Sequence, residues 1–225
     1  MAKDAHCSAD FKHEWRKHEK ALYLPKNKPE VAEVPAFKFI TVKGEGNPGN
    51  EAFSECVAAL YSLAYGLKMN LKKMANEPAG YTDYTVYPLE GLWDINEQAK
   101  KSFKGTINKD DLVYTLMIRQ PDFIDESLFN EIKALVKMKN PSPRLSSVSF
   151  ETLVEGPCIQ MLHLGPFEDE PLSFSQMENF AENEGLNRIS KQHREIYLTD
   201  ARRVSPEKYK TVLRFQVEPK AIAQV

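Results

Sequence analysis

The chain has 225 residues, of which 30 are Lys or Arg and 32 are Asp or Glu, so its formal net charge is −2. This length suffices for one large domain or two small fused ones, and the balanced charge argues against nucleic acid or an anionic membrane as a partner. No apolar run approaches the roughly 20 residues of a membrane span, and the first residues lack the apolar core of a signal peptide, so we expect a cytoplasmic protein.

The N-terminal segment is charge-dense, and residues 1–30 predict an arm with one apolar anchor at 22–25. A strand is predicted near 36–43. The glycines and proline of 44–49 then predict a turn, and Asn50 can cap the helix that follows.

That helix is predicted from apolar residues at three- and four-residue spacing, the stripe of a helix packed on a sheet. The stripe consists of Phe53, Cys56, Val57, Leu60, Leu63, Ala64, Leu67 and Leu71. Tyr61, Tyr65 and Met69 form a neighbouring stripe, where they either fill the core at the sheet edge or line a pocket.

The rest of the chain predicts further strands and two more helices. In chain order these are strands near 84–94 and 112–119, a linking helix over 125–139, strands near 148–154 and 158–164, a helix over 169–184 closed by Gly185, and strands near 194–198 and 208–217. Pro88 indicates an edge or a bulge in its strand.

The two halves of the chain repeat the same order of elements. Residues 37–56 can be laid against 158–177, each with an apolar strand, a turn with glycine, an acidic loop with proline and an amphipathic helix. Two strands follow each helix, so the chain is α+β and a β-α-β-β unit occurs twice, which predicts pseudo-two-fold symmetry with a central cleft. The predicted organisation is one domain made of an arm (1–30), a first half (31–121), a linking helix with a Pro-rich loop (122–145) and a second half (146–225).

The cysteines and histidines give no sign of a disulfide framework or a metal centre. Cys7, Cys56 and Cys158 are scattered and odd in number, and no histidine has metal-ligand spacing. We therefore expect no metal and no cofactor, with Cys56 and Cys158 as small buried hydrophobes and Cys7 in a mobile tail. His163, in an apolar strand end, is expected to be structural.

One strand in each half places a carboxylate among large apolar side chains. Glu195 and Tyr197 are two apart and therefore share a face. A carboxylate that faces an apolar cleft is costly to ionise and attracts a cation or a positioned water. Glu195 has two simpler interpretations, exposure to solvent or an ion pair with Arg119 or Arg214.

Several of these segments are similar to the GyrI-like small-molecule-binding family. They are the Gly-x-Gly turn at 44–46, Pro-Leu-Glu-Gly-Leu-Trp at 88–93, Leu-His-Leu-Gly-Pro-Phe at 162–167, and Arg-Glu-Ile-Tyr-Leu at 194–198 followed by Arg202-Arg203. The resemblance extends from about Leu22 to about Val217. It implies a tandem β-α-β-β fold with antiparallel sheets, helices on one side and a central ligand cleft.

The resemblance also implies roles for particular residues. Glu195 and Tyr197 match the glutamate and tyrosine of an aromatic-lined pocket, Glu90 is the implied counterpart in the first half, and Trp93 follows it closely. Glu90 can alternatively cap a bulge beside Gly91, and Trp93 can simply fill the core. Related proteins include the effector domains of multidrug-responsive activators, gyrase-inhibitory proteins and free-standing hydrolases of cyclopropanoid toxins. The activators carry a DNA-binding module that we do not find here, which argues against transcriptional regulation.

Two functions therefore remain open for a small planar hydrophobic or cationic ligand. The first is a hydrolase with Glu195 as base and Tyr197 as its hydrogen-bonding partner. The second is a multidrug-binding, sensing or gyrase-interacting protein without chemistry. The residues expected to contact the ligand in either case are Glu90, Trp93, Tyr65, Met69 and Tyr61. The sequence leaves the oligomeric state open.

Overall fold

The computed structural model of the chain describes residues 11–221, which form seven α-helices and eleven strands. The helices are α1 (Trp15–His18), α2 (Lys20–Tyr23), α3 (Glu51–Leu71), α4 (Glu97–Ser102), α5 (Glu126–Lys139), α6 (Pro143–Ser146) and α7 (Glu170–Asn183). The strands are β1 (Lys12–His13), β2 (Glu30–Val34), β3 (Phe37–Glu45), β4 (Asp83–Tyr84), β5 (Leu89–Ile95), β6 (Leu112–Gln120), β7 (Ser149–Leu153), β8 (Gly156–Leu164), β9 (Leu186–Arg188), β10 (His193–Tyr197) and β11 (Lys210–Pro219).

Nine of these strands build one antiparallel sheet in the order β2-β8-β11-β10-β5-β6-β3-β7, with β9 paired beside β11. From the central β10–β5 pair, the strands follow the order β10-β11-β8-β2 in one direction and the equivalent order β5-β6-β3-β7 in the other. One unit is β3-α3-β5-β6, the other is β8-α7-β10-β11, and a pseudo-two-fold axis relates them. The predicted duplicated α+β fold is confirmed.

The two outermost strands are exchanged between the units. Residues 35–36 alone connect β2 to β3, yet β2 pairs with β8, and residues 154–155 alone connect β7 to β8, yet β7 pairs with β3. In a flat sheet β2 and β3 would lie about 29 Å apart, at about 4.8 Å per strand. A connection of this length spans at most about 11 Å, so the sheet curves until its ends approach.

Both long helices of the units cover the same face of the sheet. Helix α3 packs on β3 and β6, and α7 packs on β8, β9 and β11, so the central pair β5–β10 lies between them. The buried residues of α3 are Cys56, Ala59, Leu60, Leu63, Ala64, Leu67 and Leu71. The apolar stripe thus forms the core as predicted, except that Phe53 and Val57 are only half-buried.

The other, concave face encloses a cluster of charged residues under the N-terminal arm. Glu90 pairs with Arg194, Glu155 bridges Arg194 and Arg214, and Arg119 pairs with Glu19. Backbone carbonyls of the arm accept from Arg214 and from Gln160, at 2.7 and 2.6 Å. Because Trp15 and Tyr23 are also buried, the described part of the arm is a component of the core.

The residues predicted to begin α5 and to end α7 do so in the structure. Asp125 caps α5 by accepting from the backbone of Leu128 at 2.8 Å, and Gly185, with φ of +69°, follows α7. Cys56 and Cys158 are buried as free thiols, while Cys7 lies outside the described residues. Within residues 11–221, no helix combines the length and apolarity needed to cross a membrane.

Candidate functional site

A cleft of about 1460 Å³ opens on the helix-bearing face above the central β5–β10 pair. Its walls are aromatic and come from both units. The aromatic lining includes Phe53, Tyr61 and Tyr65 from α3, Trp93 from β5, Phe167 and Phe174 near the start of α7, and Tyr197 from β10. A space of this size exceeds the roughly 300–1,000 Å³ usual for drug-sized ligands.

Three side chains at the floor of the cleft form a hydrogen-bonded row. The Trp93 indole Nε1 donates to the Tyr197 hydroxyl at 2.8 Å, and that hydroxyl donates to Glu195 Oε2 at 2.8 Å. Burial and the neighbouring Glu195 hold the pKa of Tyr197 well above its ordinary value. A phenol has one proton, so Tyr197 is committed to anchoring Glu195.

The second oxygen of Glu195 is less constrained. Its Oε1 lies 3.2 Å from His193 Nε2. The ring of Phe174 meets His193 edge-on with centroids 4.7 Å apart, which fixes the imidazole beside the carboxylate. Glu195 therefore presents one oxygen held by Tyr197 and one that lies beside the His193 imidazole in the lining of the cleft.

A second carboxyl, Glu170, reaches the same place from the start of α7. Its side chain lines the cleft within hydrogen-bonding reach of Glu195, and its Oε1 has no partner among the described residues. Burial, and then the charge of Glu195, raise the pKa of Glu170 well above its ordinary value. The helix N-terminus opposes this by about 0.3–1 kcal/mol, which is small beside the several pKa units that burial can cause.

Sequence reasoning missed Glu170. In the sequence, Asp169-Glu170-Pro171 has the pattern of a helix start, with acids near the positive end of the dipole and proline in the first turn, and the structure fits that pattern. Glu170 differs from its acidic neighbours in its contact with Glu195, which depends on where the packing of α7 on β8, β9 and β11 places its first turn.

The pseudo-two-fold axis identifies Gly91, and not Glu90, as the counterpart of Glu195. Gly46 and Gly165, both with positive φ, follow the first strand of each unit and mark equivalent positions. Val42 and Met161 lie four residues before these glycines. In the first unit, Val42 pairs with Leu116 on β6, and Leu116 pairs with Gly91 on β5. In the second unit, Met161 pairs with Leu213 on β11, and Leu213 pairs with Glu195 on β10. Gly91 and Glu195 also pair directly across β5 and β10.

The missing side chain at Gly91 keeps the floor of the cleft clear. A Cβ atom there would lie 2.5 Å from Trp93 Nε1 and 3.1 Å from the Tyr197 hydroxyl. Only glycine lets these two side chains meet over β5.

Glu90 faces away from the cleft, contrary to the expectation that it contacts the ligand. Side chains alternate along β5, so Glu90 points into the concave face, where its Oε2 accepts from Arg194 at 2.7 Å and its Oε1 accepts from Tyr23 at 3.3 Å. For the same reason Arg119 and Arg214 do not pair with Glu195; they pair with Glu19 and Glu155.

The other expected ligand contacts divide between the cleft and the surface. Tyr61 and Tyr65 line the cleft with stacked rings, centroids 6.3 Å apart. Trp93 lines it too, although only 6% exposed, so it is both a wall and a core residue. Met69 is not among the lining residues and is 46% exposed, because it lies one helical turn beyond Tyr65.

Most of the charged side chains at the rim of the cleft form ion pairs, whereas the two carboxyl groups at its centre do not. Asp94 pairs with Lys100, Glu178 with Arg188 and Lys191, and Asp200 with Arg202. Within residues 11–221, neither Glu170 nor Glu195 has a Lys or Arg partner. The same residues contain no group of three or more His, Cys, Asp or Glu side chains arranged to hold a metal ion.

Comparisons with known proteins agree with this picture. A model of the GyrI-like small molecule binding domain matches residues 27–218. Two crystal structures, each described as a hydrolase from Listeria innocua, are 36% and 37% identical to the chain, with TM-scores of 0.82 and 0.83. Each alignment covers 92% of this chain and 100% of the Listeria chain. The C-terminal domain of EcmrR, 12% identical with a TM-score of 0.51, covers 86% of the chain and 98% of itself and shares the fold. No curated protein sequence matches significantly.

Proposed function

The chain belongs to the GyrI-like small-molecule-binding domain family, and from that premise we propose that it hydrolyses planar, ring-strained electrophiles of the cyclopropanoid class. The observation that carries the proposal is a carboxylate, Glu195, anchored by Tyr197 at the floor of an aromatic cleft. The relatives at 36% and 37% identity are described as hydrolases, which supports an enzyme.

The aromatic walls supply binding and orientation. A flat conjugated ligand stacks against Tyr61, Tyr65 and Trp93, and any positive charge on it gains about 0.5–2 kcal/mol from each ring face it meets. Such stacking places the strained ring over the floor, near Glu195. Little further machinery is needed, because the strain is already in the substrate.

In the hydrolytic step Glu195 acts as general base. Its Oε1 takes a proton from a water molecule as the water oxygen bonds to the methylene carbon of the cyclopropane. The strained C–C bond breaks, its electron pair passes to the conjugated carbonyl oxygen, and that oxygen then takes up a proton. Tyr197 holds Oε2 throughout, so its role is to position the base.

The test compares the wild type with Glu195→Gln on a spirocyclopropane dienone, following the ring-opened product by mass spectrometry. We expect the rate to fall by about 10²–10⁴-fold, because the amide cannot accept the proton. Glu182→Gln, at an exposed position on α7, is the matched control and should react like the wild type. Equal rates for the Glu195 variant and the wild type would refute the assignment of the base.

A second candidate is sequestration or sensing of planar drugs without chemistry. The size of the cleft favours it, since about 1460 Å³ is more than one small electrophile fills. If no product forms while planar cations raise the melting temperature, this second function replaces the first.

A further inference from the structure

We propose that Glu170 and Glu195 act as one pair that holds a single proton, and that a monocationic ligand entering the cleft replaces this proton. The inference rests on the proposed role of the cleft as a small-molecule site. It adds a ligand-binding residue, Glu170, and it couples ligand charge to proton release.

The geometry leaves the pair one arrangement that satisfies both groups. Glu195 Oε2 accepts from Tyr197, and Oε1 lies beside His193. Glu170 is 7% exposed, lines the same cleft within hydrogen-bonding reach of Glu195, and has one oxygen that lacks any partner among the described residues. Two carboxylates in contact repel each other, whereas a protonated Glu170 donates a hydrogen bond to Glu195.

The charged and titratable groups around the pair do not remove the need for this proton. From β10 the pair meets His193 and Tyr197, and from the turn before α7 it meets Glu168, which adds negative charge. The cations that line the cleft have other partners: Lys100, Arg188, Lys191 and Arg202 pair with Asp94, Glu178 and Asp200, Lys109 pairs with Glu168, and Arg16 donates to the Leu198 carbonyl. Burial and the charge of Glu195 raise the pKa of Glu170 in agreement with a shared proton.

A bound cation stabilises the ionised form of both carboxyl groups. With a positive charge beside them both carboxyls can ionise, so one proton leaves for each monocation that binds. A neutral ligand of the same shape leaves the pair unchanged. Near neutral pH the association constant of the cation should then rise close to tenfold per pH unit, as linkage requires for one released proton.

The experiment is titration calorimetry at pH 7 in two buffers with different ionisation enthalpies, which counts protons released on binding. The ligands are 1-methylquinolinium, a permanent cation, and its neutral isostere 1-methylnaphthalene. We expect about one proton for the cation and none for the neutral compound with the wild type. Glu170→Gln should release none, while the control Glu182→Gln should match the wild type.

Three results would overturn the proposal: binding of the cation to wild type without proton release, unchanged release from Glu170→Gln, or no binding of the cation at all. The pH dependence of wild-type affinity tests the same claim without a variant. Hydrolysis of the spirocyclopropane dienone is measured separately, so turnover without proton-coupled binding would reject this inference and leave the proposed function standing.

Discussion

At the scale of single residues, the raised pKa of Glu170 makes the stability of the fold depend on pH. The folded protein keeps a proton on Glu170 that the unfolded chain has already lost above the ordinary glutamate pKa. Folding is therefore disfavoured progressively as pH rises from that ordinary value towards the raised one, and below the ordinary value the effect disappears.

This predicts a pH-dependent effect of Glu170→Gln, which is neutral at every pH. We expect its melting temperature to exceed that of the wild type at pH 8, with the difference shrinking towards pH 4. Thermal unfolding followed by circular dichroism across this range measures it, with Glu182→Gln as control. A difference between variant and wild type that stays constant with pH would count against the raised pKa.

The sequence identified side chains of the cleft where strand alternation or helical spacing determines their direction. Tyr197 must share a face with Glu195, and Tyr65 must follow Tyr61 by one turn. Glu90 was misplaced because the two strands were compared by their carboxylates, whereas the strand registers align Glu195 with Gly91. The position of Glu170 beside Glu195 depends on the tertiary packing of α7, which local sequence patterns do not predict.

At the scale of elements, the buried charges on the concave face hold the central strands together. Glu90 on β5 and Arg194 on β10 have almost no exposed surface, and their ion pair joins the two units. Removing one partner of such a pair leaves an uncompensated buried charge.

We therefore predict that Glu90→Gln lowers the free energy of unfolding by about 3–5 kcal/mol. Because Glu90 faces away from the cleft, the folded variant should still bind 1-methylquinolinium with the affinity of the wild type. Urea denaturation and calorimetry measure the two quantities. Loss of affinity in a folded, stable variant would show that Glu90 acts on the ligand after all. Glu182→Gln again serves as the control.

Helices and strands with strong sequence patterns were predicted more accurately than those with weak patterns. The long helices have apolar stripes and end signals, and α3 and α5 were predicted with nearly their observed bounds. Helices α1 and α2 in the charge-dense arm, and β2 directly after it, were not predicted, since their few apolar residues have no clear period. The segment predicted as one strand over 84–94 is interrupted at 85–88, where Pro88 cannot donate to a sheet.

At the scale of the whole molecule, the N-terminal arm completes the fold. It supplies Glu19 to Arg119, the Tyr23 hydroxyl to Glu90, and the Leu22 carbonyl to Arg214. These partners satisfy groups buried in the concave face. Their removal leaves Arg119 without its carboxylate, and it takes one hydrogen-bond partner each from Glu90 and Arg214.

A variant lacking residues 1–24 should consequently lose at least about 3 kcal/mol of unfolding free energy, or lose cooperative unfolding altogether. Urea denaturation followed by tryptophan fluorescence and circular dichroism measures the loss. Adding a synthetic peptide of residues 11–26 should restore part of it. Unchanged stability of the truncated chain would contradict the role assigned to the arm.

The exchanged strands β2 and β7 also bear on how this chain arose. A single ancestral copy of the unit would have had to donate its leading strand to a second molecule, because the two-residue connection carries that strand away from its own unit. We infer that the ancestor was a strand-swapped homodimer. Fusion of two such copies would place α5 in the connection between them, and Glu195 and Gly91, which pair across the former symmetry axis, could differ only once the two copies were separate segments of one chain.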